Sequence, residues 1–349
     1  MRQTALYNSV GIAFKELSSP PPMESPQNMA SRAALVSLAT DVRPPRAVGP
    51  DAILRMAAET GAGGIHVGGG CDLEVLGPLV TGAARLGLPL ASATLPLPER
   101  PVPRGRRLPR LVATAPDERA AAISLVERGL LGLAGAPRAI LLDFGRLELT
   151  ASPAPVGNAF ARRALDDEDD TSGARVLAAA LDERRASSGQ VLDACRWAVE
   201  ALLRAAERAA AVLVLPIGVT PWEAPSPREV SELLTPFAGA PIGSAWDPGR
   251  LSALGALGLP VSDERLAQLA KLAALHVEND AVGLRAGYLP GLGERDPRIA
   301  DLVPNLSAPI VVCGDADVSE GEIRDALAAV TARRERATAG GRNPPRVPN

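Results

Sequence analysis

Short apolar runs alternate with longer stretches whose apolar residues recur every three or four positions, from Ala34 to about Val330. The short runs, bounded by Gly, Pro and Asp, read as strands and the longer periodic stretches as helices. Ala34 to Thr40 precedes a helix near Asp51 to Thr60, and Gly64 to Val67 precedes one near Leu73 to Leu86. Pro89 to Leu95 is a third strand, followed by a helix from about Asp117 to Leu133 with Pro116 just ahead of its start. Ala139 to Phe144 is the fourth, and its helix comes late, at about Gln190 to Ala209. Ala211 to Ile217 leads to a helix that Ser226 caps and Pro227 opens, with Glu229 in the capping-box position. Pro241 to Trp246 is followed by a helix near Asp263 to Ala273, and Ala274 to Glu278 by a loop and a helix from about Pro297 to Leu302. Pro309 to Cys313 is the last strand, and Ser319 with Glu322 caps the final helix.

Eight strands, each followed by a helix, predict an α/β fold of the (β/α)8 TIM-barrel type as a single domain. An open doubly wound sheet is the main alternative. It would favour a G-x-G-x-x-G loop after an early strand, and Gly68, Gly69 and Gly70 do not have that spacing. The barrel is assigned to residues 31–330. Residues 1–30, with Pro20, Pro21, Pro22 and Pro26, read as a disordered N-terminal extension, and Met29 is a second candidate start. Residues 331–349 read as a disordered C-terminal tail. Between strands four and five an acidic insertion at about 151–188 carries Asp166, Asp167, Glu168, Asp169 and Asp170, which read as a solvated, mobile loop.

Composition narrows the function classes. The chain has 349 residues, 46% of them hydrophobic and 22% charged, enough apolar material for a large core. Aromatics make up only 3%, so that core is built from Ala, Val, Leu and Ile. A net charge of −3 gives no general attraction to nucleic acid. Only Lys15 and Lys271 are lysines among 37 basic residues, an Arg bias that follows from GC-rich coding. Cys71, Cys195 and Cys313 form neither a C-x-x-C pair nor an even set, which argues against disulfides and zinc ribbons. With no membrane-length apolar run and no secretory-signal pattern, the expectation is a soluble cytoplasmic protein without membrane or nucleic-acid partners.

In a barrel the chemistry sits where the strands end, at their C-terminal edge. The polar residues there are Thr40 and Asp41, His66, Asp143, Trp222 and Glu223, Asp247 and Arg250, His276, Glu278 and Asp280, Glu294 and Asp296, and Cys313 and Asp315. Trp246-Asp247-Pro248-Gly249-Arg250, Asn279-Asp280-Ala281-Val282-Gly283 and Leu289-Pro290-Gly291-Leu292-Gly293-Glu294-Arg295-Asp296 are the informative stretches. Across Ala206 to Val330 they resemble the second half of the xylose-isomerase-like sugar-phosphate isomerases, epimerases and dehydratases. That resemblance implies a divalent metal held by a Glu after strand five, an Asp in a D-T-G-H-like motif after strand six, an H-x-x-D after strand seven and a Glu after strand eight.

Here those positions carry Pro216, Asp247, Val277 with Asp280, and Cys313, so Asp247 is the one candidate metal ligand left at its place and a divalent metal is doubtful. Arg250 stands where the family often has His. His276 is one position off the expected histidine and should face the helix layer unless the strand bulges. His66 is mid-strand and could face either way. With only two histidines, the multi-zinc endonuclease branch is excluded. Cys313 with His276 could make a nucleophile pair, though a lone Cys reads more simply as a small apolar residue. Asp247 with Glu278 or Asp280 could move protons without a metal.

The candidate catalytic residues are therefore Asp247, Glu278, Asp280 and Glu294, and the candidate substrate-binding residues are His66, Trp222, Arg250 and His276. Three functions fit: an isomerase or epimerase acting on a small sugar or polyol, a pseudoenzyme that binds such a ligand or a protein, and a structural subunit with an interface around 152–188. Homo-oligomerisation is expected only by analogy with sugar isomerases.

Overall fold

A computed structural model describes residues 36–40, 49–68, 71–100, 107–133, 136–137, 139–151, 171–282, 285–288, 290–291, 293, 295–300, 307–314 and 318–340. The strands in chain order are β1 Val36–Ala39, β2 Gly64–Val67, β3 Leu90–Leu95, β4 Ala139–Leu142, β5 Val212–Leu215, β6 Ile242–Trp246 and β7 Ala273–Glu278. They continue with β8 Asp280–Val282, β9 Arg285–Tyr288 and β10 Ile310–Val312. Eight of these form a closed barrel in the order β1-β10-β7-β6-β5-β4-β3-β2, every neighbouring pair parallel. This is the (β/α)8 barrel expected from the alternating pattern. Strands covered on both faces are mostly apolar, because the bore and the helices each bury one side, and Ser37, His66, Ser92, Ser244, His276 and Glu278 are the buried polar residues among them.

The helices are α1 Pro50–Glu59, α2 Leu73–Arg85, α3 Pro116–Leu133, α4 Thr171–Ala186, α5 Ser188–Arg208, α6 Pro227–Leu234, α7 Pro248–Ala256, α8 Asp263–Lys271, α9 Pro297–Ala300 and α10 Glu320–Gly340. In α5 the stripe Val191, Ala194, Cys195, Ala198, Val199 and Leu202 repeats at helical spacing and is buried. Each large member of such a stripe contributes about 1.5–3 kcal/mol by leaving water. Ser226 and Glu229 close the capping box on α6, and Ser319 and Glu322 bond reciprocally across the start of α10. No helix among the described residues is long and apolar enough to cross a membrane.

Four details differ from the sequence expectation. The insertion read as a loop over 151–188 contains α4, while residues 152–170, with the acidic run, lie outside the described residues. An additional helix, α7, follows β6 directly. The loop after β7 is in part a hairpin, with β8 antiparallel to β9. Helix α10 runs to Gly340, past the boundary placed at 330. The expected terminal extensions 1–30 and 341–349 lie outside the described residues.

Candidate functional site

A cavity of about 410 Å³ opens at the C-terminal ends of β3, β4, β5 and β6. Its wall includes Thr94, Asp143, Arg146, Pro216, Glu223, Ala245, Asp247 and Arg250. Local rules place the polar groups. Asp247 follows β6 in a non-helical conformation and caps α7, its Oδ1 accepting from the Arg250 amide at 2.9 Å. Pro248 at the first helical position needs no donor there, and the Asp-Pro pair starts the helix. The Gly249 amide donates to Asn279 Oδ1 at 2.9 Å, and glycine is required there because a Cβ would come within 2.7 Å of the Asp280 carbonyl.

Arg250 is the hub. Its Nη1 donates to the Ile217 carbonyl at 2.9 Å and to Glu223 Oε2 at 3.2 Å, while its Nε faces Asp247 Oδ2 at 3.6 Å. Glu223 Oε2 also accepts from the Val219 amide at 2.8 Å, so the loop after β5 is built around this carboxylate. Burial opposes the guanidinium charge, but Glu223, Asp247, Asp143 and Cys313 around it outweigh burial and raise its pKa. Burial raises the pKa of Asp247, and Arg250 and the amide bond only partly counter it.

The opposite wall is held by an arginine away from the cavity. Arg110 grips Glu118 with two bonds of 2.7 and 2.9 Å and donates from Nη1 to the Arg146 carbonyl at 3.0 Å. Asp143 Oδ1 accepts from the Gly145 amide at 2.9 Å, a tight turn in which Gly145 has φ +78° and a Cβ would strike Arg110. A bridge between Arg146 and Glu223 and the bond from the Leu147 amide to the Trp222 carbonyl, 2.7 Å, join this loop to the one after β5.

Of the candidate residues, Asp247 and Arg250 line this cavity. His66 sits below it, with Nδ1 2.8 Å from Ser92 Oγ and Nε2 3.0 Å from Thr94 Oγ1; burial brings its pKa down to about 4, so it is neutral. Trp222 is buried and donates from Nε1 to the Ala151 carbonyl at 2.7 Å, a loop anchor. Strand pairing sorts the rest. Ala245, which lines the cavity, is opposite Leu275, and Val277 is opposite Val311, so these share the inner face. His276 is opposite Trp246 and Ile310 and has the other parity, facing the helices. Glu278 has that outward parity too; it accepts from Arg295 Nη2 and Arg333 Nη1, each at 2.9 Å. Asp280 accepts from Arg295 Nε and the Gly291 amide, each at 2.5 Å. Glu294 lies outside the described residues. Cavity residues the candidate set omitted are Thr94, Asp143, Arg146 and Glu223; for Asp143 and Glu223 the available signal was a carboxylate at a strand end or in its loop.

No protein-family model matches the sequence, and no curated protein matches it either. Solved structures match over nearly the whole barrel. L-ribulose 3-epimerase superposes with a TM-score of 0.60 at 12% identity, covering 90% of this chain and 100% of that one. Apo 3-keto-D-glucoside 4-epimerase from E. coli gives 0.57 at 14% identity, over 86% of this chain and 99% of that one. The fold shared with these structures is the (β/α)8 TIM barrel. A xylose isomerase-like TIM barrel protein from Mycobacterium smegmatis, in complex with magnesium, matches this barrel at a TM-score of 0.53 and 12% identity, covering 86% and 96% of the two chains.

Proposed function

We propose that this isomerase/epimerase-like barrel takes a small sugar or polyol into the cavity at its C-terminal mouth and handles it without a divalent metal. The observation that carries the reading is the cavity itself: about 410 Å³, at the catalytic end of the barrel, with Asp143, Glu223 and Asp247 arranged around Arg250. Cavities of roughly 300–1,000 Å³ with a few fixed polar groups suit ligands of this size. Carboxylates accept hydrogen bonds from vicinal hydroxyls, and a guanidinium donates to a carbonyl or hydroxyl oxygen.

The donors present do not fit the metal that the fold family implies. A hard divalent ion takes about six or more oxygen ligands. At the corresponding inner positions the chain has Pro216, Val277 and Cys313, and the remaining Asp247 already caps α7 and faces Arg250. Among the described residues no three His, Cys, Asp or Glu side chains converge on a point. Proton transfer, if it occurs, falls to Asp247, whose burial lets it hold a proton to higher pH, and to Asp143 on the opposite wall. A second reading, binding without turnover, is favoured by one observation: Glu223 and Asp247 are already engaged by Arg250 and by backbone amides.

A thermal-shift screen with D-allulose, D-tagatose, D-fructose and L-ribulose, with and without EDTA, tests the reading. Stabilisation by a free sugar that survives EDTA is expected. Failure of every sugar to stabilise, or stabilisation that EDTA abolishes, would sink it. Incubating any sugar that binds and following epimer formation by NMR separates the enzyme from the binding protein.

A further inference from the structure

We propose that Arg250 is the resident cation of this site, a covalently attached substitute for a metal ion, and that its Nη2 edge donates to an oxygen of an uncharged sugar. The second half rests on the sugar-site reading above; the first stands on the geometry alone.

The guanidinium is held as an ion would be. Its oxygens come from separate elements: the Ile217 carbonyl and Glu223 from the loop after β5, and Asp247 from the end of β6. These are the strand ends where the family resemblance puts metal ligands, and Pro216, next to Ile217, lines the same cavity. Both Nη1 hydrogens are used, Nε faces Asp247, and among the described residues no protein hydrogen bond is made by Nη2. The side chain is 37% exposed, so this planar edge is the part left for a ligand.

Local preference runs against this placement. Arg250 is the third residue of α7, where the helix dipole and capping favour an acid such as the Glu229 of α6. A cation there is unfavourable unless other groups hold it, and rules broken locally tend to mark functional sites. A lysine could not reproduce the contacts, since a single ammonium lacks the fork that reaches the Ile217 carbonyl and Glu223 while leaving a second nitrogen free.

The charge balance names the ligand class. The described cavity wall has three carboxylates, Asp143, Glu223 and Asp247, against two guanidiniums, Arg146 and Arg250, and Arg250 is already balanced by its partners. A phosphate ester or sugar acid gains little in such a mouth. An uncharged polyol does well, donating hydroxyls to Asp143 and accepting from Nη2.

The test compares the full chain with Arg250→Ala and Arg250→Lys. Arg250→Ala leaves a guanidinium-shaped gap facing three carboxylates. Millimolar methylguanidinium should raise its melting temperature and leave wild type unmoved, a readout that needs no sugar. The sugar found in the screen should bind this variant about ten- to a hundredfold more weakly, recover with methylguanidinium, and outbind its phosphate ester in wild type. If Arg250→Ala does not fold, Arg250→Lys, which keeps the charge, should fold and show the same loss of sugar affinity. The proposal falls if wild type carries a stoichiometric divalent metal, if methylguanidinium fails to stabilise a folded Arg250→Ala, or if either folded variant binds sugar as wild type does. A wild type that binds no sugar while methylguanidinium still stabilises Arg250→Ala overturns the sugar reading and leaves the resident cation standing.

Discussion

His66 is a neutral imidazole clasped by two hydroxyls, and its titration is a stability effect. Burial brings its pKa from 6.5 to about 4. Between those values the unfolded chain binds the proton and the folded chain does not, so stability is full above about pH 6.5 and falls as the pH drops toward 4. The loss attributable to this residue is about 3 kcal/mol, with no further change below the folded pKa. Asp247 has the opposite sign, because burial raises its pKa and the folded state binds its proton more readily. The clean measurement is therefore a difference: urea midpoints at pH 7 and pH 4.5 for wild type and His66→Gln. Wild type should lose more stability over that interval than the variant. Equal losses would mean that His66 is charged in the folded state.

At the scale of elements, α4 is docked on α6 by one ion pair. Arg184 Nη2 reaches both oxygens of Glu229, at 2.6 and 2.5 Å, and each side chain is only 10% exposed. Glu229 is also the acid of the capping box, with Oε2 accepting from the Ser226 amide at 2.8 Å. Removing one partner strands the other charge. Arg184→Ala should cost about 3–5 kcal/mol in urea melts, and Arg184→Met with Glu229→Gln should recover a good part of it. An Arg184→Ala effect under 1 kcal/mol would show that the pair is solvated.

The capping boxes were legible because they are local: Ser, Pro and Glu at fixed offsets determine the start of a helix. Helix α4 was also legible in principle, since Val176, Leu177 and Ala180 have helical spacing, but the neighbouring acidic run drew the whole segment toward loop. Helix α7 was hidden differently. Asp247-Pro248 is a cap followed by proline, a helix-start signal that coincides with the motif and is masked by it. The hairpin of β8 and β9 was not legible, because strands of three and four residues have too few positions to show a period.

At the scale of the molecule, the barrel places chemistry at one end, as strand order alone implies, but which carboxylates face the bore depends on parity. Asp247 is a candidate from the strand-six motif, and it stands two residues beyond Ala245 on the wall of the cavity. Glu278 is a candidate from its place at a strand end and Asp280 from the motif, and pairing puts Glu278 on the outer face, beyond the reach of sequence because register is a tertiary property. There Glu278 ties β7 to Arg295 beyond the hairpin and to Arg333 on α10. Glu278→Ala leaves the Arg295 guanidinium, 15% exposed, short of an acceptor, so a loss of about 3 kcal/mol is expected, together with faster amide exchange in β8, β9 and α10. Unchanged exchange in α10 would show that Arg333 contributes nothing to its docking.

The pairing of β1 with β10 also sets a schedule for the newborn chain. Val36 finds its partner Ile310 only after every other strand of the barrel has left the ribosome. Until then the growing sheet has two raw edges, the first strand and whichever strand emerged last, each a row of unsatisfied amides and carbonyls able to recruit a neighbour. β10, the eighth barrel strand to be made, is thus the one that ends this exposure, and a nascent chain stalled before β10 is the form of this barrel most in need of a chaperone.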